Sequence, residues 1–247
     1  MHLDVVDLRS FYAGPVGELV RGALGARLKA FWSDAAGCAV LGVGYATPYL
    51  DIFTRDAERV LAFMPAAQGV INWPRGGPNA SALVDDAALP LNDATVDRAL
   101  VVHALEMSET PLHLLRELWR VLAPGGRLLI VVPNRRGLWA HTDKTPFGHG
   151  RPFSRSQLTA LLREAMFSPS NWADALHMAP FSNRTMVRSA MAFDRIGRAF
   201  WPGFGGVIIV EATKQLYRAL PADAKAARGR IIFQPVLAPP TPTQRLR

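Results

Sequence analysis

The stretch CAVLGVGYATPYL, residues 38–50, decides the fold class of this sequence. A short apolar run ends in two glycines one residue apart, Gly42 and Gly44, and a helix start follows, with Thr47 as the predicted N-cap and Pro48 at the first helical position. This order is typical of a buried strand that turns directly into a helix. Glycine lets the backbone approach a ligand closely, so the turn is interpreted either as a nucleotide-binding loop or as a tight turn alone.

Strands and helices alternate along the rest of the chain. Apolar segments predict further strands at residues 59–65, 81–86, 96–105, 127–134 and 206–217. Helical spacing of apolar residues predicts helices within residues 14–32, 111–126 and 154–167. Because the strands are continuously apolar, the pattern predicts a parallel sheet that is covered by helices on both faces.

The composition indicates a folded protein without a disulfide framework. Of the 247 residues, 49% are hydrophobic and 19% are charged, a balance that suits a globular domain. The single cysteine, Cys38, forms neither an internal disulfide nor a thiolate metal cluster. The N-terminal stretch lacks the features of a signal peptide, and no apolar run reaches the length of a membrane span. We therefore predict a cytoplasmic protein with no metal site.

Positive charge is concentrated in the second half of the chain. Residues 1–130 hold 11 Lys and Arg against 14 Asp and Glu, whereas residues 131–247 hold 17 against 6. A basic surface attracts an anionic substrate, an acidic protein or nucleic acid, and it also occurs without any such partner. The charge alone leaves these alternatives open.

Four segments together carry a family resemblance: LGVG at residues 41–44, DDAALPLNDATVD at 85–97, HALE at 103–106, and ELWRVLAPGGRLLIVVPN at 117–134. Their order resembles the class I S-adenosylmethionine-dependent methyltransferases, including the ubiquinone and menaquinone biosynthesis type. The resemblance implies an α/β fold, a Rossmann-like seven-stranded mostly parallel sheet with helices on both faces. It also implies that the strand near residues 206–212 is antiparallel.

The resemblance divides the chain into three parts and places a cofactor. It implies an N-terminal helical segment at residues 1–35, a methyltransferase-like domain at 36–220 and a Pro-rich basic tail at 221–247. The implied cofactor is S-adenosylmethionine. Its amino-acid end would lie on the glycine turn and its adenine beside the third strand. The implied contacts are Gly42, Gly44, Tyr45, Ala46, Met64, Asp85, Asp86 and Ala87.

Two positions depart from the family pattern. Family members carry an acidic residue two positions before the first glycine of the turn, where this sequence has Val40. They carry another at the end of the second strand, where it holds the ribose hydroxyls, and here that position is Met64. Loss of a charged hydrogen-bond partner lowers the binding free energy of the cofactor by about 1.5 to 3 kcal/mol. The amide of Gln68 is a partial substitute in this interpretation.

Histidines supply the candidate bases, because their ordinary pKa suits proton transfer near neutral pH. His103 follows the fourth strand, where open α/β sheets bind ligands. His141 and His149 lie in the polar connection of residues 134–154, which we predict to be a mobile cover over an acceptor. Within that connection, Trp139, His149 and Arg151 are the predicted acceptor contacts, and His103 and His149 are the predicted catalytic residues.

Several functions remain open at this point. The first is methyl transfer to a small or medium acceptor, an anionic one being compatible with the charge. The second is a degenerate methyltransferase fold that acts as a binding or assembly module. Nucleic acid is a weaker third acceptor, because HALE stands where amino-methylating enzymes of nucleic acid carry an Asn-Pro-Pro-Tyr-type motif. A dinucleotide is disfavoured, since Thr47 replaces the third glycine of its fingerprint.

Overall fold

The computed structural model of the protein describes residues 3–180 and 205–216. These residues contain a seven-stranded sheet in the order β3-β2-β1-β4-β5-β7-β6. The first five strands pair in parallel, and β7 is antiparallel to both of its neighbours. The strands are β1 Ala39–Gly44, β2 Arg59–Pro65, β3 Ser81–Val84, β4 Val96–Val102, β5 Leu122–Pro133, β6 Phe167–Ala175 and β7 Val207–Lys214. The predicted fold class is confirmed, including the antiparallel strand.

Strand β6 was implied by the resemblance but has no clear signal of its own. Its sequence, FSPSNWADA, contains polar residues and a proline, and only its two end residues are fully buried. It lies at the edge of the sheet and pairs with β7 alone. An edge strand tolerates such residues because one side of its backbone needs no ladder partner.

The helices differ from the prediction in two places. The N-terminal region forms α1 (Val5–Ala13) in addition to the expected α2 (Pro15–Phe31). The helix after β1 is one turn only, α3 (Thr47–Leu50), and Ala46 rather than Thr47 is its N-cap. The predicted Thr47 cap is therefore wrong, because the chain enters the helix one residue earlier. Helices α4 (Pro111–Val121) and α5 (Arg155–Glu164) lie within their predicted segments.

Each face of the sheet is covered by a different pair of helices. Residues 66–80, between β2 and β3, contain no helix. Instead α1 and α2 cover this face, where Leu8 and Leu24 belong to the same buried cluster as Leu129. On the opposite face, Leu114 of α4 and Leu158 of α5 belong to a second buried cluster. The predicted helical segment of residues 1–35 thus contributes to the core of the sheet.

The position of α1 matters for the site. Its first residue, Val5, donates its N–H to the carbonyl of Gln68 just after β2, at 2.7 Å. The helix therefore lies against the edge of the sheet where the parallel strands end. The predicted tail, residues 221–247, lies outside the described residues. Among the helices that the structure describes, none has the length and apolarity needed to cross a membrane.

Candidate active site at the carboxyl edge of the sheet

A cavity of about 490 Å³ opens where β2, β3 and β4 end. Strand β1 lies between β2 and β4, so the connections leave it toward opposite sides of the sheet. Open α/β sheets bind their ligands at such a point. The volume lies in the range of small-molecule sites. The lining includes Leu3, Gln68, Asp85, Asp86, Ala87, His103 and Ser108.

The acidic pair after β3 has two different environments. Asp85 is exposed, and its Oδ1 accepts the N–H of Ala87 at 2.9 Å, which holds the turn. Asp86 is partly buried, and its Oδ2 accepts the hydroxyl of Ser108 at 2.9 Å. Both residues line the cavity, and their contact with a cofactor stays a prediction. Asp85 presents the more accessible carboxylate, whereas Asp86 joins β3 to the segment after β4.

Gln68 crosses the end of β1. Its Nε2 donates to the carbonyl of His103 at 2.8 Å, so a residue that follows β2 binds one that follows β4. The amide orientation follows from this bond, because only the nitrogen can donate to a carbonyl. Its Oε1 is buried and has no hydrogen-bond partner among the described residues. A buried acceptor on a cavity wall without a partner indicates a place for a donor group of a ligand.

The glycine turn is packed more tightly than a ligand-binding loop requires. Gly44 has a φ of 79°, and a Cβ there would lie 2.3 Å from the carbonyl oxygen of Val102. The same carbonyl accepts the N–H of Tyr45 at 2.8 Å. A Cβ on Gly42 would lie 2.6 Å from Leu50 Cδ1. The Tyr45 N–H therefore already has a partner on β4 in this conformation, and the cofactor contact at Tyr45 stays a prediction.

The two departures from the family pattern are both buried. Val40 and Met64 belong to the apolar cluster beneath α1, together with Ala46 and Tyr45. Met64 is fully buried at the end of β2, so its side chain offers no polar atom to a ribose. Replacement of both acidic residues by apolar ones suits this cluster, because an unpaired carboxylate there would be costly.

His103 combines burial with an unusual backbone conformation. It follows β4 with a φ of 52° and is fully buried at the wall of the cavity. Its Nε2 lies 2.9 Å from the hydroxyl of Tyr12, and its Nδ1 lies 3.3 Å from Oε1 of Glu106. A positive φ at a residue other than glycine stores strain, and such strain is concentrated at functional sites. The candidate base is thus hydrogen-bonded through Nε2, while its Nδ1 lies near a carboxylate without an aligned hydrogen bond.

Glu106 is a site residue that the sequence reasoning quoted, in HALE, without assigning it a role. Its side chain is buried, and neither carboxylate oxygen has an aligned hydrogen bond among the described residues. Its nearest polar neighbour there is the ring of His103. A buried carboxylate is costly unless a proton or a cation neutralises it. The i,i+3 spacing to His103 was the available signal.

A cluster of three tyrosines reaches the His103 ring through Tyr12. The rings of Tyr12 and Tyr45 stack with centroids 5.5 Å apart, and the Tyr49 hydroxyl donates to the Tyr12 hydroxyl at 3.1 Å. Burial raises the pKa of Tyr12 well above its ordinary value, and the neighbouring Tyr49 adds to this shift. Burial also raises the pKa of Tyr49. Both hydroxyls therefore stay protonated, and Tyr12 can donate to His103 Nε2.

This arrangement predicts a loss of stability at alkaline pH. A tyrosine whose pKa is raised on folding contributes stability that is fully present below its unfolded pKa near 10 and is lost as the pH rises further. Tyr12 and Tyr49 should each lower the free energy of unfolding by about 1.4 kcal/mol per pH unit in that range. Urea unfolding at about pH 9 and about pH 11 should show the fall. The double variant Tyr12→Phe/Tyr49→Phe should show a smaller fall, and an equal one would contradict this assignment.

The connection of residues 134–154 packs on the site. Phe147 is buried, and its ring centroid lies 4.7 Å from that of His103. Trp139 is fully buried, and its Nε1 donates to the carbonyl of Met178 at 2.6 Å. Trp139 therefore has a packing role, and we do not retain it as an acceptor contact. His149 is half-buried, with Nε2 3.1 Å from the carbonyl of Asp143, and the Arg151 side chain is exposed.

A family comparison covers the strands that build this site. Residues 31–130, from the end of α2 into β5, match the model of the methyltransferase domain family. A probable S-adenosylmethionine-dependent methyltransferase of Mycolicibacterium smegmatis is 35% identical over 95 residues, which are 38% of this chain and 37% of that protein. Residues 31–130 are thus similar in sequence to methyltransferase domains. The alignment spans well under half of the relative's length, so it supports a similarity of this region and not the activity of the whole relative.

Solved structures support the same fold. A methyltransferase from Thermotoga maritima superposes with a TM-score of 0.64 at 17% identity, covering 85% of this chain and 96% of that one. The 1,6-didemethyltoxoflavin-N1-methyltransferase of Burkholderia thailandensis, which holds its substrate and S-adenosylhomocysteine, gives 0.51 at 18% identity, covering 85% and 86%. At these identities the likeness shows the fold alone. The described residues thus share the Rossmann-like fold of these two structures.

The residues around the cavity fit one half of the cofactor that this fold implies. The free Oε1 of Gln68 is an acceptor suited to a ribose hydroxyl, and the exposed carboxylate of Asp85 suits the amino group of adenine. For the amino-acid half, the glycine turn offers no free amide at Tyr45 in this conformation. The hydrogen-bonding groups of the cavity therefore fit the adenosine half of S-adenosylmethionine, whereas those for its amino-acid half are incomplete.

Proposed function

We propose that this protein binds S-adenosylmethionine and transfers its methyl group to a small or medium-sized acceptor. The observation that carries the proposal is the cavity at the end of β1, where Gln68 and Asp85 present acceptor oxygens inside a matched methyltransferase domain. When bound, the cofactor supplies a methyl group on a positively charged sulfur. Such a reaction needs chiefly correct placement of the acceptor, so few catalytic side chains are required.

His103 is the proposed proton acceptor. An acceptor oxygen or nitrogen that gains a methyl group must lose a proton, and His103 Nε2 is hydrogen-bonded to the Tyr12 hydroxyl. A proton that arrives through that hydroxyl is held at Nε2. Glu106 Oε1 lies 3.3 Å from the other ring nitrogen, Nδ1, and Glu106 is a proposed positioning residue for the ring. His149 remains the second proposed base, with Arg151 beside it as a proposed acceptor contact.

Calorimetric titration of the full chain with S-adenosylmethionine and S-adenosylhomocysteine tests the cofactor. Binding should weaken roughly tenfold or more in Asp85→Asn, since a charged hydrogen bond contributes about 1.5 to 3 kcal/mol. Asparagine keeps the side-chain oxygen that accepts the Ala87 N–H, so the turn should persist. Asp56→Asn, at an exposed carboxylate outside this cavity, is the matched control. Absence of binding to the unaltered protein would exclude the proposal.

A second function, a non-catalytic binding or assembly module, is favoured by two observations. A hydrogen bond joins Gln68 to His103 across the end of β1, and Met64 buries an apolar side chain where family members carry a carboxylate. This alternative predicts no heat with either cofactor form and a stoichiometric protein partner in affinity purification. Cofactor binding at micromolar concentration would exclude it. Nucleic acid stays a weaker proposal, which predicts affinity that falls steeply with salt.

A further inference from the structure

A second cavity, of about 630 Å³, lies where α1 and α2 face α3 and the connection between β2 and β3. Three arginines from three separate segments line it: Arg9 of α1, Arg21 of α2 and Arg75 of the connection. All three are exposed. Tyr45 and Trp73, both largely buried, are also part of its lining. The cavity thus combines aromatic surface with three guanidinium groups.

None of these arginines has an ion pair or side-chain hydrogen bond to another described residue. Two carboxylates, Glu18 and Asp51, line the same cavity without pairing to them, and Asp51 accepts the indole N–H of Trp73 at 3.2 Å. Elsewhere in the described chain, arginines such as Arg120 and Arg155 do pair with carboxylates. Convergence of unpaired guanidinium groups in a concave site creates a positive potential that an anion would neutralise.

The positive charges of the three arginines affect the pKa values of Tyr45 and Tyr49, which both pack against Tyr12. Burial raises the pKa of Tyr45, while the charges of Arg9 and Arg75 oppose that rise. Burial likewise raises the pKa of Tyr49, against the opposing charge of Arg21. The guanidinium groups are therefore electrostatically coupled to the interior of the cavity. Tyr12 also lines this cavity, and its hydroxyl binds His103, so the cavity adjoins the candidate base.

We propose that the cavity of Arg9, Arg21 and Arg75 binds a carboxylate or phosphate group of the methyl acceptor. Guanidinium groups bind such anions through paired charge-assisted hydrogen bonds. The aromatic side chains of Tyr45 and Trp73 provide contact area for the body of a small molecule. The anion site itself follows from the arginines alone, whereas its assignment to the acceptor rests on the proposed methyl transfer.

Titration of the full chain with citrate and with inorganic phosphate, at constant ionic strength, tests the site. We expect saturable binding that weakens roughly tenfold in each of Arg9→Gln, Arg21→Gln and Arg75→Gln. Arg116→Gln, at an exposed arginine of α4 outside the cavity, should bind as the unaltered protein does. Circular dichroism should show that all four variants fold. No binding, or equal binding by the cavity variants and the control, would overturn the proposal.

A competition experiment separates the acceptor from the amino-acid end of the cofactor, which also carries a carboxylate. S-adenosylhomocysteine has this carboxylate and 5′-methylthioadenosine lacks it. If citrate binds equally well in the presence of either compound, the acceptor assignment is supported. If only S-adenosylhomocysteine displaces citrate, the site holds the cofactor carboxylate and the acceptor assignment is overturned. Citrate binding without any cofactor binding would support the anion site while excluding the proposed methyl transfer.

Discussion

Replacing His103 with asparagine is expected to lower the rate of methyl transfer by about 100-fold or more, the usual contribution of a general base. The affinity for S-adenosylhomocysteine should change by less than about threefold, because a general base acts on the acceptor and contributes little to cofactor binding. Asparagine is the informative substitute, since it tolerates the positive φ of this position. The measurement is steady-state turnover of an identified acceptor together with calorimetric cofactor binding.

His113→Asn is the matched control for this prediction. His113 is exposed on α4 and has no side-chain hydrogen bond among the described residues, so its replacement should leave the rate unchanged. Tyr12→Phe should also lower the rate, because it removes the hydroxyl bound to Nε2 and keeps the ring that stacks on Tyr45. A His103→Asn variant that retains most of its turnover would show that the histidine is a buried structural residue.

Replacing Gly44 with alanine is expected to lower the free energy of unfolding by about 3 kcal/mol. A φ of 79° costs a residue with a Cβ about 1 to 2 kcal/mol. The new Cβ would also lie 2.3 Å from the Val102 carbonyl and 2.7 Å from Ala104 Cβ, and such overpacking costs about 1 to 3 kcal/mol. The clash falls where β1 and β4 are hydrogen-bonded neighbours. Urea unfolding of the two proteins measures the difference.

Replacing Gly22 with alanine is expected to raise the free energy of unfolding, which is the opposite effect. Gly22 lies on the exposed side of α2, and a Cβ there would have no other atom within 4 Å, so alanine should stabilise the helix by about 0.5 to 1 kcal/mol. The pair also separates two interpretations of the glycine turn. If Gly44→Ala kept its stability and lost cofactor affinity, the glycine would serve the ligand. The structure predicts instead that it serves strand packing first.

The fold class could be predicted from the sequence because apolar strands alternate with helices. Strand β1 and residues 128–133 of β5 are buried on both faces, so their apolar runs are continuous. The helices between the strands have apolar residues at clear helical spacing. The sequence predicted where helix α3 begins but not its length. A Pro at the second position of a helix favours its start and does not determine where it ends. Helix α1 was missed, and its amphipathic signal is weak over nine residues.

For the site, the location of residues along the sheet could be predicted from sequence, whereas their contacts depend on how the chain folds. The positions of Asp85, Asp86 and His103 followed from sequence, because residues at the carboxyl ends of parallel strands meet at one edge of a sheet whatever their exact contacts. The partners of those residues did not, since Tyr12 lies 91 positions from His103. Likewise, three arginines from separate segments line one cavity only through the packing of α1 and α2. Local spacing determines which element a residue belongs to, whereas long-range packing determines what its side chain faces.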